Sequence, residues 1–226
     1  MEKFLRRLKF YGIGFGLGLV FVFFFFKNRG CSWMPSDRVK NSILDRVIVV
    51  SEETQKQMKR RGITNEDLVD ALDDGDVYFS DSDKNGESKV YVVESKGVKF
   101  AYTLPYESFV SQVFIASKGK EVETDEEGFG EIIHYPNDST LIYPDSTQMM
   151  TCKLERLGLM QPKHFLKRLE ESASIDFEKT DLSIRPKPEH YLKFKVDTLD
   201  VGARVIWYKN KLNILDLDFE GDESCE

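Results

Sequence analysis

Asp81-Ser82-Asp83-Lys84-Asn85-Gly86 sets three oxygen-bearing side chains at alternate positions before a glycine, the D-x-D-x-N-G spacing with which a loop wraps calcium. With Glu87 as a further oxygen donor, Asp81, Asp83 and Asn85 form the candidate metal site of the chain. The last loop position, where calcium loops place a bidentate glutamate, holds Val92. Asn-Gly between two strand-like runs is also the strongest short hairpin signal, so a plain turn is expected here, with a calcium-responsive domain as a third functional expectation. His134, His164 and His190 are far apart, and no G-x-S-x-G, H-E-x-x-H or phosphate-cradling glycine motif occurs. No catalytic residue and no cofactor are therefore expected. Lys56, Lys59, Arg60 and Arg61 form a basic cluster, the place where RNA phosphates would be met if the protein bound nucleic acid.

The charge balance speaks against that partner. The chain carries 32 Lys and Arg against 39 Asp and Glu, a net −7. Residues 1–40 hold eight of the basic and two of the acidic residues, a local +6 that leaves −13 on the rest. A body of that sign repels phosphate. Asp216, Asp218 and Glu220 alternate along a strand-like run and are expected on a solvated face. Cys31, Cys152 and Cys225 are odd in number, widely spaced and without a C-x-x-C pair, so neither a zinc site nor a disulfide framework is expected. Cys225 sits in the acidic end GDESCE, which is expected to fray.

From Phe10 to Phe26 the run FYGIGFGLGLVFVFFFF is free of charge, and as a helix its seventeen residues would rise about 25 Å. The expectation is an uncleaved single-pass transmembrane helix in a bacterial inner membrane, with the lipid bilayer as partner and the body outside the cytoplasm. Gly12, Gly14, Gly16 and Gly18 give two overlapping G-x-x-x-G pairs, which would permit a homodimer packed through this helix. The domain boundaries expected are a basic flank 1–9, the helix 10–26, a linker 27–36, a lobe 37–104, a strand and acidic loop 105–139, a second lobe 140–221 and a tail 222–226.

In the body, Val47–Val50 is a β-branched run that reads as a buried strand. Ser51 offers a helix cap and Gly62 a stop; Thr64 caps a second helix with Asp67 in a capping-box pattern. Strands are expected at Val77–Ser80, Lys89–Glu94 and Val98–Thr103, and another across Ser108–Ser117. The order strand, VVSEETQKQMKRRGITNEDLVDAL, then hairpins resembles the domain of unknown function 4258 family, small relatives of the RelE and ParE toxin fold. Residues 46–104 carry the resemblance, most specifically Arg61, Gly62, Ile63, Thr64, Glu66, Asp67 and Leu68. Where the family opens its first helix with Ser-x-His-Ala, this chain has Ser51-Glu52-Glu53-Thr54, so no active-site residue is carried over.

The pattern recurs about 96 residues on, with a strand at Thr140–Tyr143, a cap at Ser146, Gly158 in the place of Gly62, and strands at Ala173–Phe177, Tyr191–Val196, Ala203–Lys209 and Leu212–Phe219. The expected fold is thus α+β: a single transmembrane helix followed by one or two RelE-like β-α-α-β-β-β lobes. The expected function is a membrane-anchored, non-enzymatic module that binds a protein or small ligand. The alternative is a divergent toxin-fold ribonuclease or nucleic-acid binder.

Overall fold

A computed structural model describes residues 2–27, 34–86, 88–123 and 129–225. The chain divides into two units, Met1–Arg38 and Val39–Glu226. The first holds helix α1 (Glu2–Lys27) and the start of α2 (Pro35–Leu44). The transmembrane expectation is overturned: among the described residues no helix is long and apolar enough to cross a membrane. The described side chains of the apolar run reach only from Tyr11 to Val22, about 18 Å of helix against about 30 Å of hydrocarbon, and four of them are glycine. The side chains of Phe23–Phe26 lie outside the described residues, as does all of Cys31. The transmembrane part of the expected fold class and the single-pass, inner-membrane location fall with that finding. A Cβ added at Gly12, Gly14, Gly16 or Gly18 would meet nothing within 4 Å among the described residues.

The second unit is α+β, built on one mixed sheet of 11 strands. Its first lobe runs β1 (Val47–Val50), α3 (Glu52–Arg61), α4 (Asn65–Asp74), β2 (Asp76–Asp83), β3 (Lys89–Ser95), β4 (Val98–Leu104) and β5 (Val110–Phe114). A short strand β6 (Phe129–Ile132) follows. The second lobe runs β7 (Ile142–Pro144), α5 (Gln148–Leu157), α6 (Pro162–Ser172), β8 (Ser174–Asp176), β9 (His190–Val196), β10 (Leu199–Tyr208) and β11 (Lys211–Phe219). The strand order is β2-β3-β4-β5-β1-β6-β8-β9-β10-β11-β7. In each lobe the last strand returns parallel to the first, β5 to β1 and β11 to β7. The two halves therefore have one topology, and β6 joins them by pairing antiparallel to β1 on one side and β8 on the other.

Local chemistry sets the helices in the same way twice. Ser51 accepts from the Thr54 amide and Gly62 closes α3 at φ 66°, a left-handed conformation that glycine adopts without strain. Thr147 accepts from the Met150 amide and Gly158 closes α5 at φ 67°. The cap is Thr147 rather than the expected Ser146, because Thr147 stands 96 residues after Ser51, as Gly158 does after Gly62. Thr64 and Asp67 form the expected capping box on α4. The Lys40 ammonium donates to the Asp73 and Gly75 carbonyls at 2.8 and 3.2 Å, closing the far end of that helix.

Every residue of β1 is buried because its two faces enter different cores. Ile48 and Val50 pack with Leu68, Leu72 and Phe100 of the first lobe, whereas Val47 and Val49 join Ile214, Trp207 and Leu192 of the second. That explains four β-branched residues in succession, with no polar alternation. At β6, Gly130 leaves no room for a side chain: a Cβ would lie 2.9 Å from the Val49 Cβ.

Contrary to expectation, Cys152 and Cys225 form a disulfide, and the carboxyl end is ordered through Cys225 as a 3₁₀ turn at Asp222–Cys225. Sequence spacing hid this pair because α5 and the tail meet only after β11 has been added to the sheet. The buried Lys153 ammonium strengthens the joint by reaching the Leu217 carbonyl at 2.6 Å, Asp216 at 3.0 Å and Asp222 at 3.1 Å. Burial lowers the Lys153 pKa, but the hydrogen bonds that the ammonium donates to the two carboxylates outweigh it and the net shift is upward.

Two stability predictions follow from this construction. The disulfide joins residues 73 apart in sequence, so Cys152→Ser should lower the unfolding free energy in urea by about 3–4 kcal/mol through the loop entropy restored to the unfolded chain. An unchanged midpoint would show that the bond adds nothing. Gly130→Val should cost about 1–3 kcal/mol by overpacking against Val49. A neutral result would mean that β6 can move away from β1.

Candidate functional site

The β3–β4 and β9–β10 hairpins can be superposed residue for residue about their two-residue turns, Lys96-Gly97 and Asp197-Thr198. In that register Val90 corresponds to Tyr191, Val92 to Lys193 and Ala101 to Gly202; cross-strand pairing then equates Phe114 with Asp218. In the first lobe these four positions are apolar. Val90, Val92 and Ala101 form a small core on the sheet face away from the helices, with Phe114 and Val122 against it. The second lobe has a phenol, an ammonium, a bare backbone and a carboxylate at the corresponding positions.

These residues line an open groove of about 680 Å³ on the outer face of β8–β11, a volume that suits a small ligand or a short segment of chain. Alternation along β9 turns Tyr191, Lys193 and Lys195 to this face and Leu192 and Phe194 to the core. The Lys193 ammonium lies 2.9 Å from Asp176, whose carboxylate is nearly fully buried. The Tyr191 hydroxyl donates to Asp218 across Gly202, and a Cβ at Gly202 would collide with that hydroxyl. Glycine is therefore what allows the β9 phenol to reach the β11 carboxylate. Burial, and then the bond to Asp218, hold the Tyr191 proton well above the ordinary phenol range, so Tyr191 is a neutral hydrogen-bonding group rather than a base or nucleophile. Lys195 and Asp200 face each other at 3.7 Å, both exposed. Arg204 bonds Asp216 at 3.1 Å, and Asp216 is held below the carboxylate range because Lys153 and Arg204 outweigh the opposing effect of burial.

The residues singled out in the sequence lie elsewhere. Asp81 accepts from Lys99 at 2.6 Å, and Asp83 accepts from the Asn85 amide at 3.0 Å, closing a local turn. Glu87 lies outside the described residues, and among those described no group of three or more His, Cys, Asp or Glu is placed to hold a metal ion. Lys56, Lys59, Arg60 and Arg61 lie on the exposed side of α3, Lys56 beside Glu52 at 3.7 Å and the other three in the last turn, where cations oppose the helix dipole. His134 is pushed down by burial. Of the outer-face acids read as solvated, Asp218 instead bonds Tyr191 in the groove. The alternation Tyr191-Leu192-Lys193-Phe194-Lys195 was available in the sequence as a signal for a polar sheet face.

A second cleft of about 610 Å³ opens on the helix side, lined in part by Asn65, Glu131 and Glu170. Gln55 and Asn65 both donate to Glu131 there, so the carboxylate serves the attachment of β6 to α3 and α4. His190 is wholly buried; its Nε2–H donates to the Ser108 carbonyl at 2.7 Å, while Nδ1 has no hydrogen-bond partner among the described residues.

Compared with protein-family models, curated proteins and solved structures, the chain matches none. The resemblance of residues 46–104 to a toxin-like family therefore rests on those residues alone.

His190 makes the fold pH-sensitive in a definite direction. Burial, partly offset by the bond to Ser108, pushes its pKa down to about 4, from an unfolded value of about 6.5. The unfolded chain binds the proton more readily, so the stability contributed by neutral His190 is complete above pH 6.5 and is lost as the pH falls toward 4. The loss is of order 3 kcal/mol. Unfolding free energies of the native chain and His190→Gln should converge over that window by a comparable amount; parallel pH profiles would refute a buried neutral imidazole.

Proposed function

We propose that the chain is a non-enzymatic interaction module whose second lobe binds a partner or ligand in the groove over β8–β11. The observation that carries this reading is the divergence of two equivalent sheet faces. Position by position, Val90, Val92, Ala101 and Phe114 are packed apolar residues in the first lobe, while Tyr191, Lys193, Gly202 and Asp218 line an open groove in the second. A solvated face needs no bare glycine; here Gly202 admits the Tyr191–Asp218 bond and shapes the floor. The groups are arranged to hold one another. Tyr191 keeps its proton, Lys193 is beside Asp176 and Lys195 beside Asp200, an arrangement suited to hydrogen bonding and charge recognition more than to proton transfer.

The test is a two-dimensional NMR titration of the full chain with a library of small polar fragments. Saturable shifts should be confined to the amides of 191–195, 200–202 and 218, and should disappear in Gly202→Ala, whose Cβ expels the Tyr191 hydroxyl, without loss of folded signal dispersion. Shifts mapping to other surfaces would sink the proposal, as would turnover of RNA or esters by the purified chain that a groove substitution abolishes. The nucleic-acid alternative makes a different prediction: salt-dependent RNA binding lost in Arg60→Glu/Arg61→Glu.

A further inference from the structure

The first lobe shows what the equivalent face of its own sheet accepts. It is covered by a strap of polypeptide, residues 117–123, with a 3₁₀ turn at Gly119–Glu121. The strap lies very close to β2 and β3: a Cβ at Gly119 would stand 2.7 Å from the Asp83 amide nitrogen and 3.1 Å from the Val90 carbonyl oxygen. Val122 then packs on the cluster of Val90, Val92 and Ala101. Among the described residues the second lobe has no strap after its last strand, and the β8–β9 connection reaches only the Tyr191 end of the face, where Lys179 lies 4.6 Å from the centre of the Tyr191 ring. The connection from β10 to β11 is a tight turn at Lys209 and Asn210, and the tail after β11 is tied to α5 by Cys152–Cys225.

We infer that the groove over β8–β11 takes an extended polypeptide segment of a partner protein, carrying side chains of both charge signs, as a strap supplied in trans; this rests on the groove being a binding site at all. The charge pattern selects that occupant. Lys193 and Lys195 are two residues apart on β9, about 6.8 Å, the same repeat with which an extended segment presents alternate side chains. On the neighbouring strands, Asp200 of β10 pairs with Lys195, and Asp218 of β11 lies beyond Gly202, which pairs with both Lys193 and Asp218. A segment of one sign would satisfy one row and face like charge on the other. A segment with both signs satisfies both rows. The Lys195–Asp200 pair can be exchanged for partner contacts at little cost, because its members are 67% and 86% exposed at 3.7 Å and such surface pairs contribute little. The strap of the first lobe has this mixed composition, SKGKEVE.

The experiment titrates the isotopically labelled full chain with four heptapeptides: SKGKEVE, an alternating KVEVKVE, hepta-glutamate and hepta-lysine. At least one mixed-charge peptide should shift the amides of Lys193, Lys195 and Gly202 saturably and bind at least tenfold more tightly than either single-sign peptide. Lys195→Glu should weaken that binding tenfold or more while leaving the thermal midpoint unchanged. Equal or tighter binding of a single-sign peptide overturns the inference, and so does the absence of any peptide effect. If polar fragments still shift the groove when no peptide does, the polypeptide inference fails and the binding groove survives; if neither shifts it, both fail.

Discussion

Four residues of backbone hold the two lobes in one sheet. β6 pairs with β1 through Val49 and Val50 and with β8 through Ser174, Ile175 and Asp176, so each edge that would otherwise present unpaired amides and carbonyls is closed by the same strand. Buried backbone groups left without partners cost as much as lost hydrogen bonds, and β1 is buried throughout. Gly130 permits the close approach to Val49, and Glu131 is gripped by Gln55 of α3 and Asn65 of α4. The attachment of the connector and the burial of β1 are thus a single constraint. β5 pairs one edge of β1, β6 closes the other, and β6 places β8 of the second lobe alongside.

The internal likeness of the lobes turns differences between them into information. Backbone topology and hairpin register are held in common, so a changed side chain at an equivalent position reflects a changed environment rather than a different fold. Where the first lobe packs Val90, Val92, Ala101 and Phe114 beneath its own chain, the second has a buried phenol, Tyr191, bonded to Asp218 beside the half-buried Lys193 ammonium. Polar groups removed from water need partners, and those of the groove have them in one another. The face is consequently stable while empty.

Much of this was legible in sequence, and the failures have physical causes. Helix ends marked by Ser51, Gly62, Thr64 and Gly158 are local events, fixed by side chains a few residues from the backbone groups they satisfy. The recurrence of the strand and helix order could be read for the same reason. The Cys152–Cys225 bond, the place of β6 between β1 and β8, and the burial of His190 against Ser108 are contacts between distant segments, and no local pattern encodes them. The apolar run at 10–26 misled in the other direction: composition suggested a span, while among the described residues no helix has the length and apolarity for one. The groove was missed because its residues alternate with core residues on β9 and β10, and their importance emerges only when the two hairpins are compared.

The surfaces left for recognition are narrowed further by how the sheet ends. β7 is three residues long, and its inward amide and carbonyl groups serve β11, as the bond from the Asp145 amide to Ile214 at 2.9 Å shows. By alternation the outward positions are Ile142 and Pro144. Ile142 spends its amide on Ser139, and proline has none, so this edge offers no donor to an incoming strand. At the other end β2 is marked by Asp76, Asp81 and Asp83, and the strap at Gly119 lies against Asp83. Edge addition is thereby disfavoured at both limits of the sheet. On the proposed function, a partner would meet side chains rather than unpaired backbone, and specificity would come from charge and shape on a face, where the second lobe differs from the first.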